Sequence, residues 1–266
     1  MRAPLVRSLL AHEWDSTYAD GIMISDAPDN HFELDSRAAI AFNHSMSPSP
    51  APAVNLWPSA EHALDYLRKA DSIPHRVEGE ATLLEFMPAN ARRILDLGSG
   101  GGRLLALIKA ARPGGHYTAL DFSPTMLDTL RKLFASEKDV AIVAHDLDRS
   151  LPALGTFDAV VSSFAIHHLE HERKRSLYAE IFNLLAPGGV FCNLEHVSSP
   201  TTKLHEEFLT AISVRVEEED PSNKLLDVET QLTWLREIGF EEVDCHWKWR
   251  ELALLAGTKP TIKSAP

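Results

Sequence analysis

The chain has few cysteines and no long apolar run. Its 266 residues include only two cysteines, Cys192 and Cys245. Two thiols cannot form a disulfide framework, which excludes the small disulfide-stapled scaffolds and fits a reducing compartment. No stretch approaches the roughly 18 apolar residues of a membrane-spanning helix, and the apolar run at 8–11 is too short for a signal peptide. We therefore expect a cytoplasmic protein that does not enter a membrane.

Positive charge is also scarce. Lysine and arginine number 26 against 38 aspartates and glutamates, giving a formal net charge of −12. Nucleic-acid-binding proteins normally need a basic face, so no nucleic-acid partner is expected. The dense basic cluster at 173–175 is too short to alter this expectation. Hydrophobic residues make up 44% of the chain, enough for the core of one large domain.

The chain divides near residue 70. Residues 1–70 are predicted to form a helical extension or lid, with a Pro/Ser-rich break at 45–52. Over 71–260, short apolar runs alternate with helical apolar patterns, which predicts an α/β domain with a doubly wound, mostly parallel sheet. A helical insert is expected near 200–226. The predicted strands are 94–97, 116–120, 140–144, 157–163, 190–194, 242–249 and 251–257.

We also predict the secondary structure of four segments around this sheet. A helix is expected over 75–87, just before the first strand. The Pro-Gly-Gly at 187–189 should end the helix that precedes the fifth strand. A helix is expected over 203–216, and the acidic run at 217–221 should be a solvated loop. The apolar residues predicted to face inward from the helix over 75–87 are Val77, Ala81, Leu84 and Met87.

The stretch 93–103, RILDLGSGGGR, organises the rest of the chain. A short apolar strand is followed by four glycines in five positions, and a helical apolar pattern begins at Leu104. Strand, glycine turn and helix open an α/β nucleotide-binding unit. Glycine lets the backbone turn sharply and lets a ligand approach closer than a Cβ would permit.

Two kinds of nucleotide compete for this turn. A dinucleotide fingerprint, G-x-G-x-x-G, needs glycine where Arg103 stands, and no P-loop lysine follows. Asp121 ends the second predicted strand, where a carboxylate can accept hydrogen bonds from a ribose diol. Asp146 ends the third strand, where an acid can accept from an adenine amino group. An adenosine cofactor without phosphate therefore fits better than a dinucleotide.

Five segments in order resemble the successive motifs of class I S-adenosylmethionine-dependent methyltransferases of the ubiquinone/menaquinone type. The resemblance covers about residues 75–257. It implies a Rossmann-like seven-stranded sheet with the last strand antiparallel, and the N-terminal helical cap predicted for residues 1–70 lies outside it. It also implies S-adenosyl-L-methionine as the methyl donor, S-adenosyl-L-homocysteine as its product, and a small-molecule methyl acceptor. The five segments are LDLGSGGGR, ALDFSPTML, AHDLDRSLP, FDAVVSSFAIHHL and LLAPGGVFCNLEH.

The resemblance also implies a cofactor site. Asp96 and the glycine turn would hold the methionine end of S-adenosylmethionine, and Arg76 could pair with the methionine carboxylate. Asp121 would bind the ribose, and Phe122 would lie against the adenine. The remaining cofactor-binding residues implied are Gly98, Ser99 and Gly100 at the methionine end, Met126, Asp146 and Leu147 at the adenosine end, and Ser163 and Phe164 beside the sulfonium.

Catalytic candidates follow the fourth and fifth predicted strands, because α/β sheets bind ligands at the carboxyl ends of their strands. They are His167 and His168 after the fourth strand, and Glu195 and His196 after the fifth. Histidine suits base chemistry near neutral pH. The cofactor supplies the reactive methyl group, so the protein must align the acceptor and, where needed, take its proton.

Thirteen histidines also raise a metal hypothesis, in which His167, Glu195, His196 and His205 converge on a divalent ion. The spacings H-E-x-x-H and C-x-x-C are absent from the sequence, so no metal is expected.

Four functions remain in competition. The first is a small-molecule methyltransferase with a helical lid. The second is a tRNA or protein methyltransferase, which the net charge disfavours. The third is a non-catalytic S-adenosylmethionine-binding protein, which the intact motifs disfavour, and the fourth is a nicotinamide dehydrogenase, which Arg103 disfavours. The sequence identifies neither the acceptor nor the methylated atom. It also leaves the oligomeric state open, with a homodimer as one possibility.

Overall fold

A computed structural model describes residues 56–261, and the earlier part of the predicted helical extension lies outside this range. Seven strands form one sheet: β1 (Arg93–Leu97), β2 (His116–Asp121), β3 (Val140–Ala144), β4 (Phe157–Ser163), β5 (Leu185–His196), β6 (Glu241–Trp249) and β7 (Leu252–Thr258). Their order is β3-β2-β1-β4-β5-β7-β6. Neighbours from β3 to β5 are parallel, and β7 is antiparallel to β5 and β6. The predicted mostly parallel sheet with an antiparallel last strand is confirmed.

Seven α-helices accompany this sheet in the described range. They are α1 (Ala60–Lys69), α2 (Arg76–Phe86), α3 (Arg103–Ala111), α4 (Pro124–Leu133), α5 (His171–Leu184), α6 (Thr202–Ala211) and α7 (Val228–Ile238). Helix α1 and the 3₁₀ turn Ala70–Ser72 belong to a segment that we call the cap, residues 56–72. None of the helices within residues 56–261 is long and apolar enough to cross a bilayer.

Both faces of the sheet are covered by helices. Alternate residues of β1 point into different cores, since Ile94 packs with residues of α2 and α3, whereas Leu95 packs with residues of α5 and α7. Ile94 and Leu95 are fully buried, as expected for a central parallel strand. Because helices cover both faces of the sheet, a ligand site is expected at the carboxyl ends of β1, β2, β4 and β5.

Helix α2 turns a different face inward from the one predicted. Leu84 and Met87 are buried as expected, but Val77 is 41% exposed. The buried positions instead include Arg76 and Glu80, two charged residues. The inward face predicted from the apolar pattern was therefore wrong in part. The ion pair between Arg76 and Glu80, and not apolar contact alone, holds the helix in place.

The Pro-Gly-Gly at 187–189 does not end a helix. Helix α5 ends at Leu184 and β5 begins at the next residue, so these residues lie within the strand. The β4–β5 register shifts there: Phe157 pairs with Leu185, and Ala159 with Val190. The prediction was wrong because proline and glycine also mark strand irregularities.

The segment after β5 also differs from its prediction. The expected helix over 203–216 ends earlier, at Ala211, where α6 ends. The acidic run is not a solvated loop throughout, because two of its members bind histidines. Glu219 lies 3.1 Å from Nε2 of His205, and Asp220 lies 3.3 Å from Nε2 of His62. These partners are distant in sequence, so charge pattern alone could not reveal them.

Gly98 lets the turn after β4 pack against the turn after β1. Its φ is +64°, and a Cβ at this position would lie 2.2 Å from Cβ of Ala165. Real Cβ atoms do not approach each other so closely, so a side chain here would displace one turn from the other. Gly98 thus sets the spacing between the ends of β1 and β4.

Replacing Gly98 with alanine should lower the free energy of unfolding by about 2–4 kcal/mol, because a left-handed backbone strain adds to a steric clash. Gly114→Ala is the matched control, since Gly114 has φ +78° but its Cβ would meet nothing closer than 3.6 Å. That variant should lose only about 1 kcal/mol. Urea denaturation of both variants measures the difference, and equal losses would contradict the role of Ala165.

Candidate active site

The glycine turn is tied to β2 by a serine. Ser99 Oγ donates to the carbonyl of Asp96 at 2.9 Å and accepts from the backbone N–H of Leu120 at 3.2 Å. The backbone N–H of Ser99 also donates to the Leu120 carbonyl at 3.0 Å. These bonds fix the turn and leave Gly100 on its open side, where a Cβ would have only Met126 Sδ nearby, at 4.0 Å.

Asp96 carries an incompletely satisfied carboxylate. The residue is 1% exposed, and its Oδ2 has no hydrogen-bond partner among the described residues. Burial raises the pKa of Asp96 to about 7, while Ser99 and the positive charge of Arg76 act in the opposite direction. A buried carboxyl of this kind can accept a cationic or hydrogen-bonding ligand group.

Asp121, at the end of β2, closes the other side of the turn. Its Oδ2 accepts from the N–H of Gly100 and its Oδ1 from the N–H of Ser123, both at 2.9 Å. Burial raises the pKa of Asp121, and these N–H groups oppose that rise. Each carboxylate oxygen has two lone pairs, so Asp121 can accept further hydrogen bonds from a diol. Phe122, half-buried, follows it directly.

The ends of β3 and β4 bring the remaining predicted cofactor residues to the same edge. Leu147 is buried within 4 Å of where a Cβ of Gly98 would lie. Asp146 Oδ1 accepts from the N–H of Asp148, which shapes the turn after β3. Ser163 Oγ is buried without a hydrogen-bond partner among residues 56–261. Phe164 follows with φ +53°, a strained value for a bulky residue and a common feature of functional turns.

Arg76 lies beside this edge. Its guanidinium carbon is 5.2 Å from the ring centroid of Phe164. Nε donates to Glu80 Oε1 at 2.8 Å, and Nη1 donates to Tyr66 Oη at 3.3 Å and to the Ala70 carbonyl at 3.1 Å. Arg76 is therefore a fixed positive charge next to the turn.

The two candidate residues His167 and Glu195 form a buried pair. Glu195 Oε1 lies 2.8 Å from Nδ1 of His167 and accepts the backbone N–H groups of His167 and His196. Its Oε2 accepts from Asn193 Nδ2 at 3.1 Å. Burial raises the pKa of Glu195, while the nearby ammonium of Lys174 lowers it. Burial also lowers the pKa of His167 well below its usual range.

His168 points to the cap instead. Its Nε2 accepts from the indole N–H of Trp57 at 3.1 Å, since an indole nitrogen can only donate. Nδ1 must then carry the proton and donate to Ser222 Oγ at 2.9 Å, and that hydroxyl donates to Asp220 at 2.7 Å. Both ring nitrogens of His168 are therefore engaged, and burial lowers its pKa.

His196 forms a second histidine–carboxylate pair. Its Nε2 lies 3.0 Å from Glu251 Oε2, and its ring centroid is 5.5 Å from that of His167. Glu251 is fully buried and also binds Nδ1 of His205 at 3.1 Å, while Nε2 of His205 lies 3.1 Å from Glu219. Despite this cluster, a search of residues 56–261 finds no set of ligands arranged for a metal ion.

The sequence motifs and the fold agree with comparisons to known proteins. A family profile described as "Methyltransferase domain" matches residues 94–189. Demethylmenaquinone methyltransferase of Clavibacter sepedonicus is 30% identical over 202 residues, covering 70% of this chain and 80% of that protein. The chain belongs to the class I S-adenosylmethionine-dependent methyltransferases. Its methyl donor is therefore S-adenosylmethionine.

Two further comparisons are weaker in extent or identity. Demethylmenaquinone methyltransferase of Thermus thermophilus is 35% identical over 111 residues, which cover 41% of this chain and 49% of that protein. The crystal structure of human N-acetylserotonin methyltransferase in complex with SAM superposes with a TM-score of 0.59 at 18% identity, covering 77% of this chain and 58% of that one. At this identity the second comparison supports the fold alone.

The residues at the turn fit this methyl donor chemically. The unpartnered Oδ2 of Asp96 suits an ammonium group, and the open side of Gly100 leaves space along the turn. Asp121 retains acceptor capacity for ribose hydroxyls. The role of each individual residue stays a prediction.

Sequence reasoning missed the partners that hold these residues. Glu80 and Glu251 are fully buried acids that bind predicted site residues, Arg76 and His196 respectively. Ser222 likewise escaped notice, although it binds His168. Glu80 follows Arg76 by four positions, a helical ion-pair spacing that could have signalled the first of these pairs.

Asp96→Asn should remove a pH-dependent cost of folding. Because the pKa of Asp96 is raised in the folded state, the unfolded chain releases this proton first, and stability falls as the pH rises from about 4 to about 7. The variant should be more stable than the parent by on the order of 1–4 kcal/mol at pH 8, with a smaller difference at pH 5. Urea denaturation without cofactor at several pH values measures this.

The same substitution should weaken S-adenosylhomocysteine binding, since the carboxylate would no longer face the ammonium. Calorimetric titration checks this second effect. A variant that gains no stability at high pH would show that Asp96 is not held as a strained buried carboxyl.

Proposed function

We propose that this enzyme methylates a small-molecule acceptor with an ionisable O–H or C–H group, of the quinol type, and that His167 is its general base. The observation that carries the proposal is the buried His167–Glu195 pair at the carboxyl edge of β4 and β5. Ala165, two residues before His167, packs against the glycine turn, so the pair lies close to the proposed donor site.

The pair prepares His167 to accept a proton. Both oxygens of Glu195 accept N–H groups, as expected of a carboxylate, and a carboxylate can only accept from Nδ1 of His167. The proton of the neutral imidazole is therefore on Nδ1, and the lone pair is on Nε2. Burial keeps the imidazole neutral near pH 7 by lowering its pKa. Nε2 of His167 has no hydrogen-bond partner among residues 56–261, which leaves it available to an acceptor.

This arrangement accounts for both the methyl group and the proton that move during the reaction. S-adenosylmethionine, when bound, supplies a methyl group that leaves its sulfonium for the acceptor oxygen or carbon. His167 Nε2 takes the acceptor proton, and the carboxylate of Glu195 stabilises the imidazolium that forms. Glu195 is in turn held by Asn193, whose amide also donates to Tyr178 Oη at 3.3 Å.

The other two candidate histidines take different roles in this proposal. His168 has both ring nitrogens engaged, so its role is to anchor the cap through Trp57. His196 faces His167 and keeps Nδ1 available while Nε2 binds Glu251. We assign His196 to orienting the acceptor.

The donor is placed by charged groups on either side of the turn. Asp96 receives the methionine ammonium, and Arg76 receives the methionine carboxylate. Asp121 receives the ribose hydroxyls. These three assignments match a zwitterionic amino acid and a diol to one carboxylate, one guanidinium and a second carboxylate.

Two observations favour a small aromatic acceptor over a macromolecule. Aromatic rings lie beside the two histidines that contact the ring of His167: Trp57 lies 5.2 Å from the ring of His168, and Phe208 lies 5.1 Å from that of His196. The basic cluster at 173–175 is not a nucleic-acid patch, because Lys174 is buried and its neighbours pair with Glu180 and Glu237. The names of the two bacterial relatives, which refer to demethylmenaquinone, agree with a quinol-type acceptor.

An acceptor screen tests the proposed substrate class. The enzyme is incubated with S-adenosylmethionine carrying a tritiated methyl group and with naphthoquinols, catechols, bulk tRNA or a mixed protein extract. Label is expected in an organic-extractable quinol product. Label confined to tRNA or to protein would overturn the small-molecule assignment.

His167→Asn should lower kcat by about 10²–10⁴-fold, because the amide cannot take the acceptor proton. Affinity for S-adenosylhomocysteine should change little. His171→Asn is the control, since His171 is an exposed histidine on the following helix and should retain normal activity. Steady-state kinetics and calorimetry on both variants separate catalysis from donor binding.

The pH profile gives a second readout. Since the pKa of His167 is lowered, the parent rate should stay level as pH falls through 6.5 and decline only at lower pH. Unchanged kcat in His167→Asn would refute its role as base.

A further inference from the structure

We propose that Glu80 is a positioning residue for the methyl donor: it holds Arg76 toward the methionine carboxylate and links the cap to the glycine turn through Arg103. This inference rests on the proposed function, because it assumes the assignment of Arg76. Glu80 lies on α2, outside the sequence motifs, and it makes no proposed contact with the donor or the acceptor.

Glu80 binds two arginines at once. Its Oε1 accepts from Arg76 Nε at 2.8 Å and from Arg103 Nε at 2.9 Å, and its Oε2 accepts from Arg103 Nη2 at 2.9 Å. The carboxylate is fully buried and Arg76 is 5% exposed. Burying a carboxylate is costly unless cations pair with it, and the bidentate contact with Arg103 fixes the plane of this one.

This geometry determines which edge of Arg76 is available. Nε is bound to Glu80, and Nη1 is bound to Tyr66 and to the Ala70 carbonyl. Nη2 is left without a hydrogen-bond acceptor among the described residues. Since the guanidinium is planar, fixing Nε and Nη1 also fixes where Nη2 points. The group lies beside Phe164, and its charge lowers the pKa of Asp96, so it acts on the donor end of the site.

Arg103 is in an unusual place for a cation. It is the first residue of α3, where the helix dipole favours negative charge. Glu80 and Asp71 both bind its guanidinium, which explains how the position is tolerated. Because Arg103 directly follows the glycine turn, Glu80 connects that turn to α2.

The cap meets the turn at the same place. A Cβ on Gly101 would lie 2.7 Å from Leu67 Cδ2 of α1, so the cap packs directly on the glycines. Asp71, also in the cap, binds Arg103, and Tyr66 binds Arg76. The two arginines that Glu80 holds are therefore the same two that the cap contacts. Loss of Glu80 would release Arg76, while Asp71 would still hold Arg103 to the cap.

The test compares two ligands that differ in one group. S-adenosylhomocysteine has the methionine-type carboxylate, and its decarboxylated analogue keeps the ammonium, ribose and adenine. Calorimetry on the full chain measures both. Glu80→Gln should weaken S-adenosylhomocysteine binding by about tenfold to hundredfold and leave the analogue within about twofold of the parent.

Three variants accompany this measurement. Arg76→Met should show the same selective loss, and the double variant should be no weaker than the worse single variant, because both act on one contact. Glu80→Asp keeps the charge but reaches less far, so it should recover part of the affinity. Glu78→Gln is the matched control, since Glu78 lies on the same helix with its side chain 57% exposed and should behave as the parent.

The outcomes separate the two proposals. Retained S-adenosylhomocysteine affinity in Arg76→Met would refute the proposed role of Arg76 itself. Selective loss in Arg76→Met with none in Glu80→Gln would refute the inference alone. Equal weakening of both ligands in Glu80→Gln would show that Glu80 only supports the fold. If that variant does not fold, Glu80→Asp decides, since it should still weaken S-adenosylhomocysteine selectively, and an unselective or absent effect overturns the inference.

Discussion

The site depends on how five carboxylates are buried along one edge of the structure. An unpaired buried carboxylate costs several kcal/mol, so each needs a partner. Glu80 has two arginines, Asp121 has backbone N–H groups, Glu195 has His167 with N–H groups, and Glu251 has two histidines. Asp96 alone keeps an oxygen without a partner in the described chain. The place where charge compensation is incomplete coincides with the place where the family resemblance predicts the methionine end of the donor.

The same compensation attaches the cap. Helix α1 fully buries only Ala63 and packs the partly buried Leu67 on Gly101, so its apolar packing is limited. Its segment is held instead by polar contacts: Trp57 to His168, His62 to Asp220, and Asp71 to Arg103. A segment held mainly by such contacts opens at lower free energy than the sheet, which suits a cover over a ligand site. The cap is thus linked by polar contacts both to the glycine turn and to the turn that carries His167 and His168.

The sequence predicted the sheet well, because apolar periodicity and glycine turns are local signals. Strands β3 and β4 match their predicted bounds. Prediction failed where a partner far along the chain decided the outcome. Val77 proved exposed because the inward face of α2 is set by Glu80, whose partner Arg103 is 23 residues away. Likewise, nothing local to the acidic run shows that Glu219 binds His205. A motif identifies which residues meet the ligand, but not the residues that hold them.

His167 and His168 are consecutive residues of one 3₁₀ turn, and their rings lie 4.0 Å apart. One ring faces the proposed chemistry, and the other supports the indole of Trp57. An acceptor too bulky to fit beneath that indole would push on His168, and the shared backbone would carry His167 away with it. With His167 as the base, a large acceptor would displace the base from its position. The enzyme would then reject that acceptor because it cannot deprotonate it, and not because it cannot bind it.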